Sequence, residues 1–481
     1  MRIKLLLSVA LCVFGLATDF SMGQGVIPQP NSILRQGDGQ RVARTVVQRK
    51  TRKRINDQIQ GAEAYRLTIN SRGALLEAAT DQGLFYGQQT LDQLLVGDSV
   101  DCMVIDDSPR YAYRALMLDP ARHFIPLADI KRYIAIIARY KYNTLHLHLS
   151  DDQGFRAQIK AYPRLCEVGA YRSQTEGDGT PHGGFYTQEE LAELVSYAAR
   201  YFVEIIPEID IPGHSVAAIA AYPFLTCRDT VLDVRTEIGV SKDLLCAGNE
   251  RVFGMYDTIV DELCRIFPSR FFHLGGDEAP LDHWSQCAKC QRVKEANGIK
   301  TNQELMSWFF ERLNRTLQRN GKSPLFWYEM DVPYYPAGST MYAWRHGLSL
   351  RAIEAARKGG YKIICSPGEY AYLDYPEARG DIPFPSSSWM GLTPMSKVYQ
   401  FDPSYGLSAD QSSHIQGVEA TIWGEYTPTI DYIFERTFPR ALAMAEVGWS
   451  QMKVRSWDDF LVRALGEVHF LEKMGIKYRK F

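Results

Sequence analysis

The sequence predicts an α/β protein: a (β/α)8 TIM barrel preceded by a small α+β domain. Three observations predict it. From about residue 111, short apolar runs of strand length alternate with stretches of helical periodicity, and eight such runs can be traced. Nearly every run stops on charged or aromatic side chains, as barrel strands do at the face that carries a site. Before residue 110 the strand-like alternation surrounds one helical stretch without a repeating strand–helix unit.

The chain begins with the pattern of an export signal. Arg2 and Lys4 precede a mostly apolar run from Leu5 to Ala17, and Ser21-Met22-Gly23 offers small residues for cleavage near Gly23. The run is short for a membrane span, and Leu11 before Cys12 makes a poor lipoprotein signal. Residues 1–23 are therefore expected to be a signal peptide, and the mature protein soluble, either periplasmic or secreted.

Residues 25–110 form the expected α+β domain, opening at Ile27-Pro28-Gln29-Pro30. The Arg- and Lys-rich run 41–54, interrupted by Val46 and Val47, reads as a solvated edge strand, because Lys and Arg discourage edge pairing. Tyr65–Ile69 alternates as a strand and Ala74–Ala79 resembles another; Leu84, Tyr86, Leu91, Leu94 and Leu95 have helical spacing. Asp107-Ser108-Pro109 ends the unit.

The barrel is expected over 111–481. Its strands are read at 115–119, 144–150, 203–210, 271–274, 325–328, 340–344, 362–365 and 417–423. Amphipathic helices are read at 127–140, 188–201, 251–267, 302–320, 349–359 and 430–448. The connections after the second and seventh strands are long, and long loops at a barrel's C-terminal face usually build the site.

Bulk properties narrow the function classes. With 481 residues, 46% hydrophobic and 23% charged, the composition is that of an ordinary globular protein. A net charge of −2 gives no general attraction to nucleic acid or anionic membrane, so neither is expected as a partner. Aromatics reach 12%, which suits a sugar-binding cleft and equally a large core. Eight cysteines follow the leader, at 102, 166, 227, 246, 264, 287, 290 and 365, too few for a disulfide scaffold. Cys287-Ala288-Lys289-Cys290 is a CxxC, but no second CxxC or nearby His pair completes a four-ligand metal site, so structural or disulfide roles are expected. Cys227 and Cys246 bracket a loop and could pair.

The densest chemistry is His273-Leu-Gly-Gly-Asp-Glu-Ala-Pro280. Neighbouring side chains on a strand point to opposite faces, so two adjacent acids address one ligand only where the strand has ended and turned. Gly275 and Gly276 permit that turn. Paired carboxylates there suit acid/base work on a glycosidic bond. The other strands end similarly: Arg114 to Asp119; His146, His148, Asp151 and Asp152; Glu208, Asp210 and His214; Trp327; Trp344; Tyr372 and Asp374; Trp423 and Glu425. His146, His148, Asp151, Asp210 and His214 could instead hold a metal. Three tryptophans favour stacking on sugar rings over hydrating an ion. Arg114 suits either a buried ion pair or a bidentate grip on vicinal hydroxyls.

These residues resemble the family 20 glycoside hydrolases, the β-N-acetylhexosaminidases. The matching stretches are Tyr113–Asp119 with Arg122-His123-Phe124, His146–Asp152, Pro207–His214, His273–Glu278, Tyr372-Leu373-Asp374, and Gly417–Ala420 with Trp423-Gly424-Glu425. The resemblance implies an exo-acting enzyme that releases terminal β-linked GlcNAc or GalNAc, with no cofactor and no metal. It also implies retention through attack by the sugar's own acetamido oxygen; family 20 is a stated exception to the two-carboxylate scheme. In that scheme Glu278 is general acid then base, Asp277 steadies the acetamido group, and Tyr372 binds its carbonyl. Trp327, Trp344 and Trp423 wall the acetyl pocket, while Arg114, Asp374 and Glu425 hold hydroxyls. Asp151 and His214 lie near Glu278 and tune it. Two departures stand out: the segment between Arg35 and Glu63 is abbreviated, and Phe155 replaces a common Trp, with an expected effect on outer-subsite stacking. No further module is expected after residue 450.

Overall fold

The computed structural model describes residues 25–37, 39–228, 230–381, 387 and 389–480. The signal peptide read at 1–23 lies outside the described residues.

The N-terminal domain is a five-stranded sheet in the order Ser32–Arg35, Met103–Asp107, Tyr65–Asn70, Gly73–Ala78, Arg52–Ile55. Its pairs are antiparallel except the last. Alternate residues Tyr65, Leu67 and Ile69 are buried, and helix Asp81–Leu94 covers that face. Thr80 caps the helix by accepting from Gly83 N. Gly87 lets the helix come close: a Cβ there would lie 2.3 Å from Leu76 Cδ1. The basic run is not a single edge strand. It divides into strand Arg41–Ala43, helix Arg44–Lys50 and strand Arg52–Ile55. Val47 buries and draws the middle into a helical turn, while the final piece is an exposed edge.

The second domain is a closed barrel of eight parallel strands: Tyr113–Leu118, Thr144–His148, Glu204–Glu208, Phe271–His273, Ser323–Trp327, Thr340–Ala343, Lys362–Cys365 and Ile415–Ile422. All eight fall where the alternation placed them, within a few residues. Five of the six expected helices occur as continuous elements. The sixth divides into Ile430–Thr437 and Arg440–Trp449 at Pro439, which has no N–H to carry the helix through. Beyond residue 450 the chain adds helix Trp457–Lys473, which buries Phe460, Ala464 and Leu471 and pairs Glu467 with Arg139 at 3.0 Å.

The barrel interior is partly polar. Glu208 meets His146 at 3.2 Å and His273 at 3.0 Å, and accepts from Trp327 Nε1 at 2.8 Å. Glu419 meets His146 at 3.0 Å and accepts from Tyr113 at 2.9 Å. All these groups are buried, and each carboxylate has several partners, as charge removed from water requires.

Arg114 belongs to the domain junction. Tyr113 points into the barrel, so its neighbour Arg114 points out. Its guanidinium pairs with Glu63 at 2.7 Å, donates to the carbonyls of Lys141 and Tyr111 at 2.9 and 2.8 Å, and stacks on Trp449 at 4.9 Å. It sits where the first strand begins, at the barrel's other end from the acids, and is 2% exposed. The expected contact with sugar hydroxyls is therefore corrected to a buried ion pair between domains.

Candidate active site

At the C-terminal ends of the strands, twelve residues enclose a cavity of about 140 Å³. Arg122, His214, Asp277, Glu278, Trp344, Tyr372, Asp374, Trp423 and Glu425 line it, with Tyr375, Trp389 and Met390 from the long seventh connection. A larger cavity of about 470 Å³ opens at the opposite end, around Tyr113, Thr144 and Phe271, with Glu204 the single carboxylate among its described lining residues.

The acidic pair is delivered by an unusual backbone. Gly275, Gly276 and Glu278 have φ of 65°, 97° and 49°. A Cβ on Gly275 would lie 1.8 Å from Asp210 Oδ1, and one on Gly276 2.7 Å from the Phe310 ring. Both positions thus exclude side chains on two counts, conformation and space. Asp210 anchors the turn by accepting from Gly276 N at 3.0 Å. Glu278, a non-glycine residue in left-handed backbone, carries the local strain often found at functional sites. The result puts two adjacent carboxylates on one cavity.

Their electrostatics differ. Burial, reinforced by Asp277, raises the carboxyl of Glu278 above the usual glutamate range. Its side chain keeps 37% of its surface open toward the cavity mouth. Glu278 N also donates to Glu329 at 3.2 Å. Burial pushes Glu329 up to about 7 despite Arg345, which grips it at 2.6 and 2.8 Å. Asp277 is 7% exposed, and its Oδ1 is buried without a hydrogen-bond partner, so it can accept from a ligand N–H.

His214 stands between the acids and a buried relay. Its Nε2 lies 3.9 Å from Asp277 Oδ2 and 4.0 Å from Glu278 Oε2, and its Nδ1 lies 3.1 Å from Asp151 Oδ1. Asp151 also meets His148 at 2.7 Å and Arg122 at 2.7 Å, and His148 passes the chain on to Glu208. Burial alone would neutralise His214, but Asp151 and the neighbouring acids outweigh it and hold the imidazole well above its usual range. Asp151, at 1% exposure, stands behind the cavity wall and meets two of its lining residues, His214 and Arg122.

Trp344 and Trp423 line the cavity beside Tyr372, whose ring is 6.2 Å from Trp423. Trp327 does not line it. It is fully buried beneath, 5.6 Å from Trp423, with its Nε1 committed to Glu208. Its expected place in the wall is corrected to a support under it. Phe155 lies in the buried core, at 1% exposure, and not at an outer subsite. Asp374, buried beside Glu425, is pushed up to about 8 by burial and then by that neighbour. Arg122 is the cavity's guanidinium: it pairs with Asp119 at 2.9 Å and lies over Trp423 at 5.1 Å. The motif Arg122-His123-Phe124 carried the signal for it, whereas Arg114 was singled out because it lies on the strand itself. Tyr375, Trp389, Met390, Glu329 and Arg345 lay in segments without a distinguishing pattern.

Two family models match the chain: glycosyl hydrolase family 20, domain 2, over residues 34–108, and glycosyl hydrolase family 20, catalytic domain, over residues 111–452. The chain is 43% identical over 417 residues to a beta-hexosaminidase of Akkermansia muciniphila, covering 85% of this chain and 84% of that one. It superposes on a crystal structure of a beta-N-acetylhexosaminidase with a TM-score of 0.89 at 40% identity, covering 93% and 95%. It also superposes on a GH20 exo beta-N-acetylglucosaminidase from Vibrio harveyi in complex with N-acetylglucosamine. That TM-score is 0.83 at 29% identity, covering 95% of this chain and 78% of that one.

Proposed function

This chain belongs to glycosyl hydrolase family 20, and from that membership we propose that it is an exo-acting β-N-acetylhexosaminidase working by the family's retaining, substrate-assisted route. It removes terminal β-linked N-acetylhexosamine from glycans. The observation that carries this reading is the placement of Asp277 and Glu278, neighbours in sequence, on one small aromatic-walled cavity.

Glu278 protonates the glycosidic oxygen while the substrate's acetamido oxygen attacks the anomeric carbon. The raised carboxyl of Glu278 supports this, since an acid catalyst must still hold its proton near neutral pH. The C–O bond to the leaving group breaks and an oxazolinium ion forms. Asp277, through its unpartnered Oδ1, accepts from the acetamido N–H and balances the positive charge that develops there. Tyr372 donates to the acetamido oxygen, and Trp344 and Trp423 enclose its methyl group. Glu278, now ionised, deprotonates the water that opens the ring. His214, held cationic by Asp151, sets the field at both acids. Arg122, Asp374 and Glu425 are the groups available to sugar hydroxyls.

Hydrolysis of aryl N-acetyl-β-glucosaminide and galactosaminide, with a thiazoline inhibitor as control, tests the reading. Release of the sugar with retained β configuration and inhibition by the thiazoline are expected. No turnover of either substrate, or indifference to the thiazoline, defeats it.

Arg2, Lys4 and the apolar run Leu5–Ala17 support export of the protein with cleavage near Gly23. Among the described residues no helix is long and apolar enough to cross a membrane. The N-terminal mass of the protein purified from its native host tests this; an unprocessed Met1 would refute it.

A further inference from the structure

We propose that Cys227, Cys246, Cys287 and Cys290 form a structural zinc site, a closed tetrathiolate cage that ties the loop after the third barrel strand to the segment following Glu278. Four thiols from three separate stretches meet there, with all four Sγ atoms within 4.8 Å of one another. The Cys246–Cys287, Cys246–Cys290 and Cys227–Cys290 separations are 3.7, 3.7 and 3.8 Å. A tetrahedron with Zn–S bonds of about 2.3 Å has edges of about 3.8 Å, so the spacing is that of zinc thiolate ligands. A disulfide would need about 2.05 Å between sulfurs, and all four residues are free thiols.

The surroundings are those of a built site. Cys246 and Cys290 are fully buried, Cys287 is 8% exposed and Cys227 is half-buried. The CxxC sits at the start of helix Ala288–Asn297, with Cys287 as its N-cap. The first-turn N–H groups there favour negative charge, which thiolates bring. The partner loop presses its backbone against the CxxC. A Cβ at Gly248 would lie 2.1 Å from the Lys289 carbonyl carbon and 2.3 Å from Cys290 N. Loop and segment are further joined where Trp284 Nε1 donates to Leu245 O at 2.9 Å, and Leu245 N donates to Pro212 O at 2.9 Å. Pro212 lies two residues before His214, so the cage holds the frame on which His214 faces the acids.

Four protein ligands leave no open coordination position, so the metal's role is structural and the hydrolytic chemistry does not pass through it. Binding releases the thiol protons and leaves the sulfurs as thiolates, with no change of oxidation state.

The test uses the full-length chain purified without reductant. Elemental analysis is expected to give one zinc per chain, retained through dialysis against a chelator. The four thiols are expected to resist a thiol reagent until an organomercurial releases the zinc to a colorimetric chelator. Exchange of zinc for Co2+ in the wild-type protein should give the intense thiolate-to-cobalt and tetrahedral ligand-field bands of a sulfur-only site. Cys290→Ser should lose the zinc, while Cys166→Ser, outside the cluster, should keep it. Because the cobalt spectrum is read on the wild type, a Cys290→Ser variant that fails to fold leaves the test intact. Metal-free protein with the four cysteines joined as two disulfides, zinc removed by dialysis as an adventitious ion, or an oxygen-ligand cobalt spectrum would each overturn the proposal.

Discussion

Glu278 keeps its proton to higher pH than an ordinary glutamate because its surroundings disfavour the anion, first through burial and then through the Asp277 charge. Bond cleavage needs the protonated form, so activity falls as pH rises through this group's titration. The sign of each neighbour then follows. Asp277→Asn removes a like charge, lowers the Glu278 pKa and moves the alkaline limb of kcat/KM to lower pH. Arg345→Met removes an attractive charge and moves that limb to higher pH. Asp277→Asn should also cut kcat on an N-acetylglucosaminide by roughly 10²–10³-fold, the scale of losing one charge-stabilising group. Rate profiles against pH for the two variants check both claims; limbs that shift the same way would contradict the electrostatic account. At this scale the cavity acids could be read from sequence because two covalent neighbours at a strand end have little choice of where to point. Arg114 could not, because strand alternation turned it outward once Tyr113 had taken the interior.

At the scale of elements, the Gly275-Gly276 turn is the device that converts a strand end into a two-acid site. Gly275→Ala meets both a positive φ and the Asp210 carboxylate, and should cost about 2–4 kcal/mol and most of the activity. Gly298→Ala, at a helix C-terminus with φ 67° and open space around its Cβ position, should cost only about 1–2 kcal/mol and leave kinetics alone. Denaturant midpoints with kcat on both variants make the comparison. The two arginines offer another pair. Arg122→Met should raise KM and lower kcat, whereas Arg114→Met should leave KM unchanged and destabilise by about 3–5 kcal/mol, because the largely buried Glu63 loses its ion-pair partner. Equal effects on KM would reverse the assignment of these two residues. Elements with a strong period were legible in the sequence, as the eight barrel strands illustrate. The run 41–54 was not, because one buried valine in a charged stretch is too weak a pattern to distinguish a helical turn from a strand.

At the scale of the molecule, the two domains are joined by a buried charge cluster. Lys141 meets Asp107 at 3.1 Å with neither side chain exposed, and Asp107 also accepts from Tyr65 at 2.6 Å and from Trp449 Nε1 at 2.9 Å. Trp449, at the end of helix Arg440–Trp449, packs in the N-terminal domain's own core. Asp107→Ala would strand a buried ammonium and should cost about 3–5 kcal/mol. Calorimetry should show a lower Tm with KM on the aryl glycoside unchanged; an unaltered Tm would mean that the junction contributes nothing to stability. The chain by itself determined the alternation that builds the barrel, the adjacent acids and the aromatic strand ends, since these depend on residues close together in sequence. Tertiary structure alone decided which arginine faces the cavity, that Trp327 supports the wall from beneath, and that Cys227 and Cys246 join Cys287 and Cys290. Those relations link positions far apart along the chain, and only closure of the barrel and folding of its loops bring their side chains within reach of one another.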